Sequence, residues 1–226
     1  MLSGFGDEDA VSKPGFNPKT FLSTAGAGRK MMSFRRGQKI FAQGDATDAM
    51  FVIQEGNVKL SVKSKAGKET TLDILSDDDF VGKDAIAGQS SRTASATAMS
   101  DCRLLRIEKK TMMHALARHL KLASVFWAYV LARNIRYQQD LVDQHCNPSE
   151  KRLARILLLL AHIDAHGLTE TVVPKISHET LAEMVGTTRS RVCFFMKRFK
   201  ESGFIYYENK SKLLRVHKTL LAFSTE

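Results

Sequence analysis

The sequence predicts an α+β chain in three parts: a glycine-punctuated antiparallel β domain, a long helix, and a C-terminal winged helix-turn-helix. Three observations predict it. Short apolar runs separated by glycines fill the stretch from about Phe34 to Ile107. From Lys109 to Cys146 there is neither proline nor glycine. Near the C-terminus a small residue, Ala182, is followed four positions later by Gly186 and then by a basic segment. The expected boundaries are a loose arm over 1–30, the β domain over 31–108, the helix over 109–146 and the winged helix-turn-helix over 147–226.

Bulk properties narrow the classes. A chain of 226 residues fits one large domain or two small ones. No apolar run reaches the roughly 18 residues that span a bilayer. The acidic start "MLSGFGDEDAVSKPGF" lacks the apolar core of a signal peptide, so the expectation is a cytoplasmic protein with no membrane partner. Cys102, Cys146 and Cys193 lie far apart, and the seven histidines show no metal-ligand spacing, so no metal site is expected. The net charge is +10. The last 80 residues carry 13 Lys+Arg against 8 Asp+Glu, so 13 − 8 = +5; the front carries 21 against 16, so 21 − 16 = +5. Positive charge is therefore denser at the back, which suits a polyanionic partner. No nucleophile elbow or Walker pattern is present, and an enzyme is not expected.

In the β domain, Phe51, Ile53, Val58, Leu60 and Val62 largely alternate with polar residues, the period-2 mark of half-buried strands. Many such short strands make a barrel, sandwich or roll. In the helix, Met113, Leu116, Leu120, Ala123, Trp127, Val130, Asn134, Tyr137 and Leu141 recur at spacings of three and four. That is a coiled-coil-like seam or a helix lying on its own β domain. Asn134 favours a homodimer seam, with Leu120, Trp127, Asn134 and Leu141 at its centre, because a buried Asn commonly fixes register. Pro148 ends the helix and Ser149 is placed to cap the next.

The helix-turn-helix needs a small residue, a turn glycine and interlocking apolar residues. Ala182, Gly186, Leu181, Val185, Val192 and Phe195 supply them, with Ser177 capping the first helix and Thr187 the second. The second helix buries Val192, Phe195, Met196 and Phe199. From Thr187 to Lys200 it holds five Lys+Arg and no acid, which suits a helix entering the major groove. The expected DNA-contacting set is Ser177, Thr187, Thr188, Arg189, Ser190, Arg191, Phe194 and Lys197. "GFIYYENKSKLLRVH" reads as the wing, turning at Asn209 to Ser211.

This order of parts, with "GQKIFAQGD", "DAMFVIQEGNVKL", "FVGKDAIAGQSSRTASATA" and "SHETLAEMVGTTRSRV", resembles the CRP/FNR superfamily of bacterial transcription regulators from about Ser33 onward. The resemblance implies a double-stranded β-roll like a cyclic nucleotide-binding domain. It also implies a homodimer on a pseudo-palindromic DNA operator, with RNA polymerase as a further partner through a surface patch near His166 to Thr171. It makes Gly82, Lys83, Asp84, Arg92 and Thr93 the phosphate-binding cassette, and Tyr137 and Gln138 the purine-contacting turn. Arg92 and Thr93 match the phosphate pair. Lys83, however, stands where cAMP binders carry a ribose-binding carboxylate, and it cannot accept a hydrogen bond. The expectation is no obligatory cofactor, with cAMP or another small anion as the alternative occupant. The N-terminal cysteine cluster of oxygen-sensing members is missing, and no histidine precedes His114 to ligate haem in the β domain. A thiol-redox-modulated regulator through Cys193 stays as a further alternative, since Arg189, Arg191 and Lys197 favour a thiolate there.

Overall fold

A computed structural model describes residues 17–65, 67, 69–161, 170–173, 176–207 and 213–225. The first 16 residues of the expected arm, residues 162–169 with most of the expected polymerase-facing patch, and the expected wing turn at Asn209 to Ser211 lie outside the described residues. Within the rest of that arm a short helix, α1 (Pro18–Ser23), starts at Asn17, whose side chain accepts the Lys19 and Thr20 amides.

Eight strands follow: β1 (Arg29–Phe34), β2 (Lys39–Phe41), β3 (Ala49–Glu55), β4 (Val58–Lys63), β5 (Glu69–Leu75), β6 (Phe80–Val81), β7 (Ser95–Ala98) and β8 (Cys102–Glu108). They form two four-stranded antiparallel sheets, ordered β1-β8-β3-β6 and β2-β7-β4-β5. Phe34, Phe51, Ile53, Val58, Leu75 and Leu104 fill the space between them. The half-buried reading of the strands fails at β3, where Ala49 to Ile53 are all buried. Phe51 and Ile53 point into the roll. Met50 and Val52 point outward into a second core made with Phe80, Leu105, Met112, Leu122 and Phe126. Both faces of β3 are covered, so its sequence need not alternate.

The outer cover is helical. The expected unbroken helix over 109–146 is two helices, α2 (Lys109–Arg118) and α3 (Leu120–Cys146). His119 separates them in an extended conformation. No helix-breaking residue marks the joint. A straight rod of that length would run about 57 Å. The bend instead keeps Met112 and Ala115 of α2 and Leu122 and Phe126 of α3 in one core with the sheet.

The C-terminal part comprises α4 (Ser149–Leu160), β9 (Glu170–Val173), α5 (His178–Val185), α6 (Arg189–Glu201), β10 (Ile205–Tyr207), β11 (Leu214–His217) and α7 (Leu220–Thr225). Pro148, not Ser149, is the N-cap of α4, and no side chain caps it. The strands make an antiparallel sheet ordered β10-β11-β9, the hairpin β10–β11 forming the wing. Leu153, Leu157, Leu181, Val185, Phe199 and Val216 build its core, which Ile74 of the roll joins. No helix among the described residues is long and apolar enough to cross a membrane.

Candidate DNA-reading helix and effector pocket

The turn between α5 and α6 follows from local chemistry. Ser177 caps α5, accepting the Thr180 amide at 3.0 Å. Gly186 adopts a left-handed conformation (φ 70°) that a side chain would disfavour, and its amide meets the carbonyls of Ala182 and Glu183. Thr188, rather than Thr187, caps α6: its hydroxyl accepts the Arg191 amide at 3.4 Å. Val192, Phe195, Met196 and Phe199 are buried. The opposite face exposes Thr188, Arg189, Ser190, Arg191, Cys193, Phe194 and Lys197, while Thr187 is half-buried. Phe194 is 58% exposed and rests edge-on against Phe195.

The face is acid-free along α6 itself until its last residue, but neighbours bring carboxylates to it. Glu179 of α5 lies 3.1 Å from Arg189 Nε, Glu201 lies 3.8 Å from Lys197, and Glu150 of α4 lies 3.1 Å from Arg198. The Arg189 pair is mostly exposed, so it is worth little. His178 Nδ1 sits 3.1 Å from Cys193 Sγ. Neither Glu179 nor His178 was among the expected contacts, because only the folded turn brings α5 against the start of α6.

Gly82, Lys83, Asp84, Thr93 and Tyr137 converge on one cavity of about 370 Å³, together with Phe41, Leu60, Leu72 and Ala94, which the sequence did not single out. Gln138 is exposed on α3 and does not line it. Gly82 is left-handed (φ 76°), and a Cβ there would come within 2.6 Å of Arg92 Nη1. Arg92 is 3% exposed and lies 4.2 Å from the centroid of Phe41. Its Nη1 donates to Asp84 Oδ1 at 2.7 Å and to the Gly82 carbonyl at 3.2 Å, and its Nη2 donates to the Ala49 carbonyl. Asp84 Oδ2 accepts the Thr93 amide at 3.1 Å. Asp84 thus faces Arg92 and Thr93, the pair that the resemblance assigns to a phosphate.

Lys83 turns toward α3. Its Nζ donates to the Phe80 carbonyl at 3.3 Å and lies 5.4 Å from the Tyr129 ring, and burial beside Arg133 holds its pKa below the usual lysine value. Tyr137 directs its hydroxyl at Asp73 Oδ2 (3.4 Å), and burial next to that carboxylate pushes its pKa up to about 12.

Beneath the cavity lies a charged cluster that sequence reading missed. Arg133 of α3 is 9% exposed and bridges Asp73 of β5 (2.9 Å) and Asp79 before β6 (2.6 Å), with Tyr129 Oη 3.2 Å from its Nε. Arg136 adds a second contact to Asp73 at 3.2 Å. The signal was present in "TLDIL", an acid at an inward strand position, but its partner is 60 residues away.

On the far side of α3, Leu120, Trp127, Leu131, Leu141 and Val142 are each at least 59% exposed, and Asn134 is exposed among them. Val130 and Tyr137, expected in the seam, tilt toward the roll instead. The outward stripe runs through Leu131 in their place.

Comparison with known proteins agrees with this architecture. Residues 31–119 match the cyclic nucleotide-binding domain family, and residues 151–219 match the Crp-like helix-turn-helix domain family. The chain is 30% identical over 172 residues to the cyclic AMP receptor protein of Thermus thermophilus, covering 76% of this chain and 77% of that one. It is 27% identical to the CRP-like cAMP-activated global transcriptional regulator of Mycobacterium tuberculosis, covering 81% and 83%. The solved structure of FixK2 from Bradyrhizobium japonicum superposes with a TM-score of 0.74 at 14% identity, covering 86% of this chain and 96% of that one.

Proposed function

This chain belongs to the CRP/FNR superfamily of transcription regulators, and from that premise we propose that it binds a pseudo-palindromic operator as a homodimer without needing cAMP. The observation that carries DNA reading is the outer face of α6, which exposes Arg189, Ser190, Arg191, Phe194 and Lys197 on a helix locked by the Gly186 turn. Arg189 starts the helix, where its terminal nitrogens can fork onto guanine O6 and N7 while Nε stays on Glu179. Phe194 offers an apolar surface for a thymine methyl. Arg191 and Lys197 lie toward the edges and meet phosphates.

Dimerisation is supported by the exposed stripe on α3. Leu120, Trp127, Leu131 and Leu141 lie on one side of a helix of 27 residues, with Asn134 in line to fix register against the same helix of a second copy. The operator such a dimer would read has half-sites about 34 Å apart, one turn of DNA. Independence from cAMP is supported by the cassette, where Arg92 and the Thr93 amide already have acceptors and Lys83 replaces a carboxylate. Selection of genomic fragments on the purified protein, with its mass measured by light scattering, tests the reading. A dimer that enriches fragments sharing an inverted repeat is the expected outcome. A micromolar monomer, or fragments without dyad symmetry, would refute it.

A further inference from the structure

The donors that would meet an effector's phosphate in this cassette are engaged by a group the chain carries itself. One carboxylate, Asp84, spans both: Oδ1 takes Arg92 Nη1 at 2.7 Å and Oδ2 takes the Thr93 amide at 3.1 Å. We propose that Asp84 is a tethered anion that keeps the cassette in its filled state, and that removing it converts the same donors into a site for a diffusible oxyanion. The proposal rests on the reading of effector-free DNA binding and says how the chain achieves it.

Four observations carry it. First, the side chain of Arg92 is 2% exposed, so water cannot solvate its charge. Two carbonyls, Ala49 and Gly82, satisfy part of the guanidinium, but among the described residues its Nε has no partner, and a carboxylate is needed to balance the charge. Asp48 is the other acid nearby, 4.0 Å from Nη2 and largely exposed, too far to share a hydrogen bond. Second, Asp84 is itself 10% exposed and is held by its own turn: Oδ1 accepts the Ala85 amide at 3.0 Å. Third, the left-handed Gly82 lets Arg92 approach the backbone closely enough for this pairing. Fourth, the cavity continues past Asp84 to Thr93, Ala94 and Tyr137, so a replacement anion has a way in.

Carboxylates and phosphates present the same acceptor geometry to a guanidinium and an amide. The tether gives Asp84 an effective concentration that a diffusible competitor must exceed. A cyclic phosphate entering beside it would also place two negative charges on one guanidinium. Both effects exclude cyclic nucleotides from the intact chain. Neither depends on the identity of the base.

Chemical rescue tests this. Full-length wild type, Asp84→Ala, Asp84→Asn and the double variant Asp84→Ala/Arg92→Met are compared by thermal unfolding and by operator binding. Each is measured in sodium chloride, acetate, inorganic phosphate or cAMP at equal ionic strength. Wild type should shift by less than about 1 °C between anions, because no site is open. Asp84→Ala should unfold lower in chloride and recover at least half of its loss in phosphate or cAMP. Asp84→Asn keeps the shape of the site and guards against a variant that fails to fold; it should respond in the same direction, more weakly. The double variant, with no buried charge to balance, should not respond. Equal rescue by acetate and phosphate would identify a bare oxyanion site, and stronger rescue by cAMP a nucleotide site; both support the tether. It is overturned if both single variants ignore the anions, or if wild type responds as strongly as they do. Wild type that binds no operator in any buffer would instead defeat the functional reading, separately from the tether.

Discussion

Replacing Arg133 by methionine should destabilise the protein by about 3 kcal/mol, the lower end of the cost of orphaning a buried charge. The side chain joins α3 to both Asp73 and Asp79, at 2.9 and 2.6 Å. Burial alone would lower its pKa, but Asp73, Tyr129 and Asp79 together raise it above the ordinary arginine value, so it stays charged. Methionine leaves Asp73, 2% exposed, with Arg136, the Tyr137 hydroxyl and the Ile74 amide. Asp79 keeps the Ser76 amide but loses its cation. These remaining contacts argue for the lower bound. For a chain of this size, about 3 kcal/mol corresponds to a fall in Tm of roughly 6–12 °C. Urea unfolding at one fixed protein concentration measures the change, because dimer stability depends on concentration. Adding Asp79→Asn should restore part of the loss, since Asp79 is the carboxylate left without its cation while Asp73 keeps Arg136. A loss below about 1 kcal/mol, or a double variant no better than the single one, would refute the argument.

Other substitutions separate the remaining claims. Trp127→Glu places a charge in the exposed stripe of α3 and should weaken dimerisation and DNA binding together, read by light scattering and a mobility shift; a fully dimeric variant would remove α3 from the interface. Arg189→Ala should flatten base preference at one symmetric pair of operator positions, a loss of about 1–3 kcal/mol of discrimination. Lys197→Ala should weaken all sequences alike and make the salt slope shallower by about one unit per site. If both substitutions acted uniformly, the assignment of the reading face would fail. Alkaline stability should rise and then fall. The Lys83 pKa is lower in the folded state, so the unfolded chain binds more protons and stability grows as pH approaches 10.5. The Tyr137 pKa, pushed up from 10.0 to about 12, reverses the sign above pH 10, because the unfolded chain ionises first. Lys83→Met should flatten the rise and Tyr137→Phe the fall, in urea midpoints measured across pH 8 to 12.

What was legible in the sequence was local. The Ala182–Gly186 spacing and the buried repeat Val192, Phe195, Met196, Phe199 depend on neighbours within a turn or two, and the structure keeps them. Thr93 likewise lies with Gly82 and Lys83 in one cavity wall, and Arg92, buried behind it, donates to the Gly82 carbonyl. The failures come from contacts distant in sequence. His119 breaks the long helix without a proline or glycine, because the core around Met112 and Phe126 decides its path. The partners of Asp73 lie on α3, and no spacing rule links them. Asp84 stands in the cassette by sequence, with no partner assigned to it. Its role became visible only when the 3₁₀ turn at Lys83–Ala85 aimed it at Arg92.

The central claim is DNA binding by a dimer whose phosphate cassette is already satisfied. Its most direct test is a fluorescence anisotropy titration of the selected operator with wild-type protein at fixed salt, with and without millimolar cAMP. The account predicts superimposable curves, with high affinity in both. Binding that is absent until cAMP is added, or that tightens tenfold with it, would contradict the account.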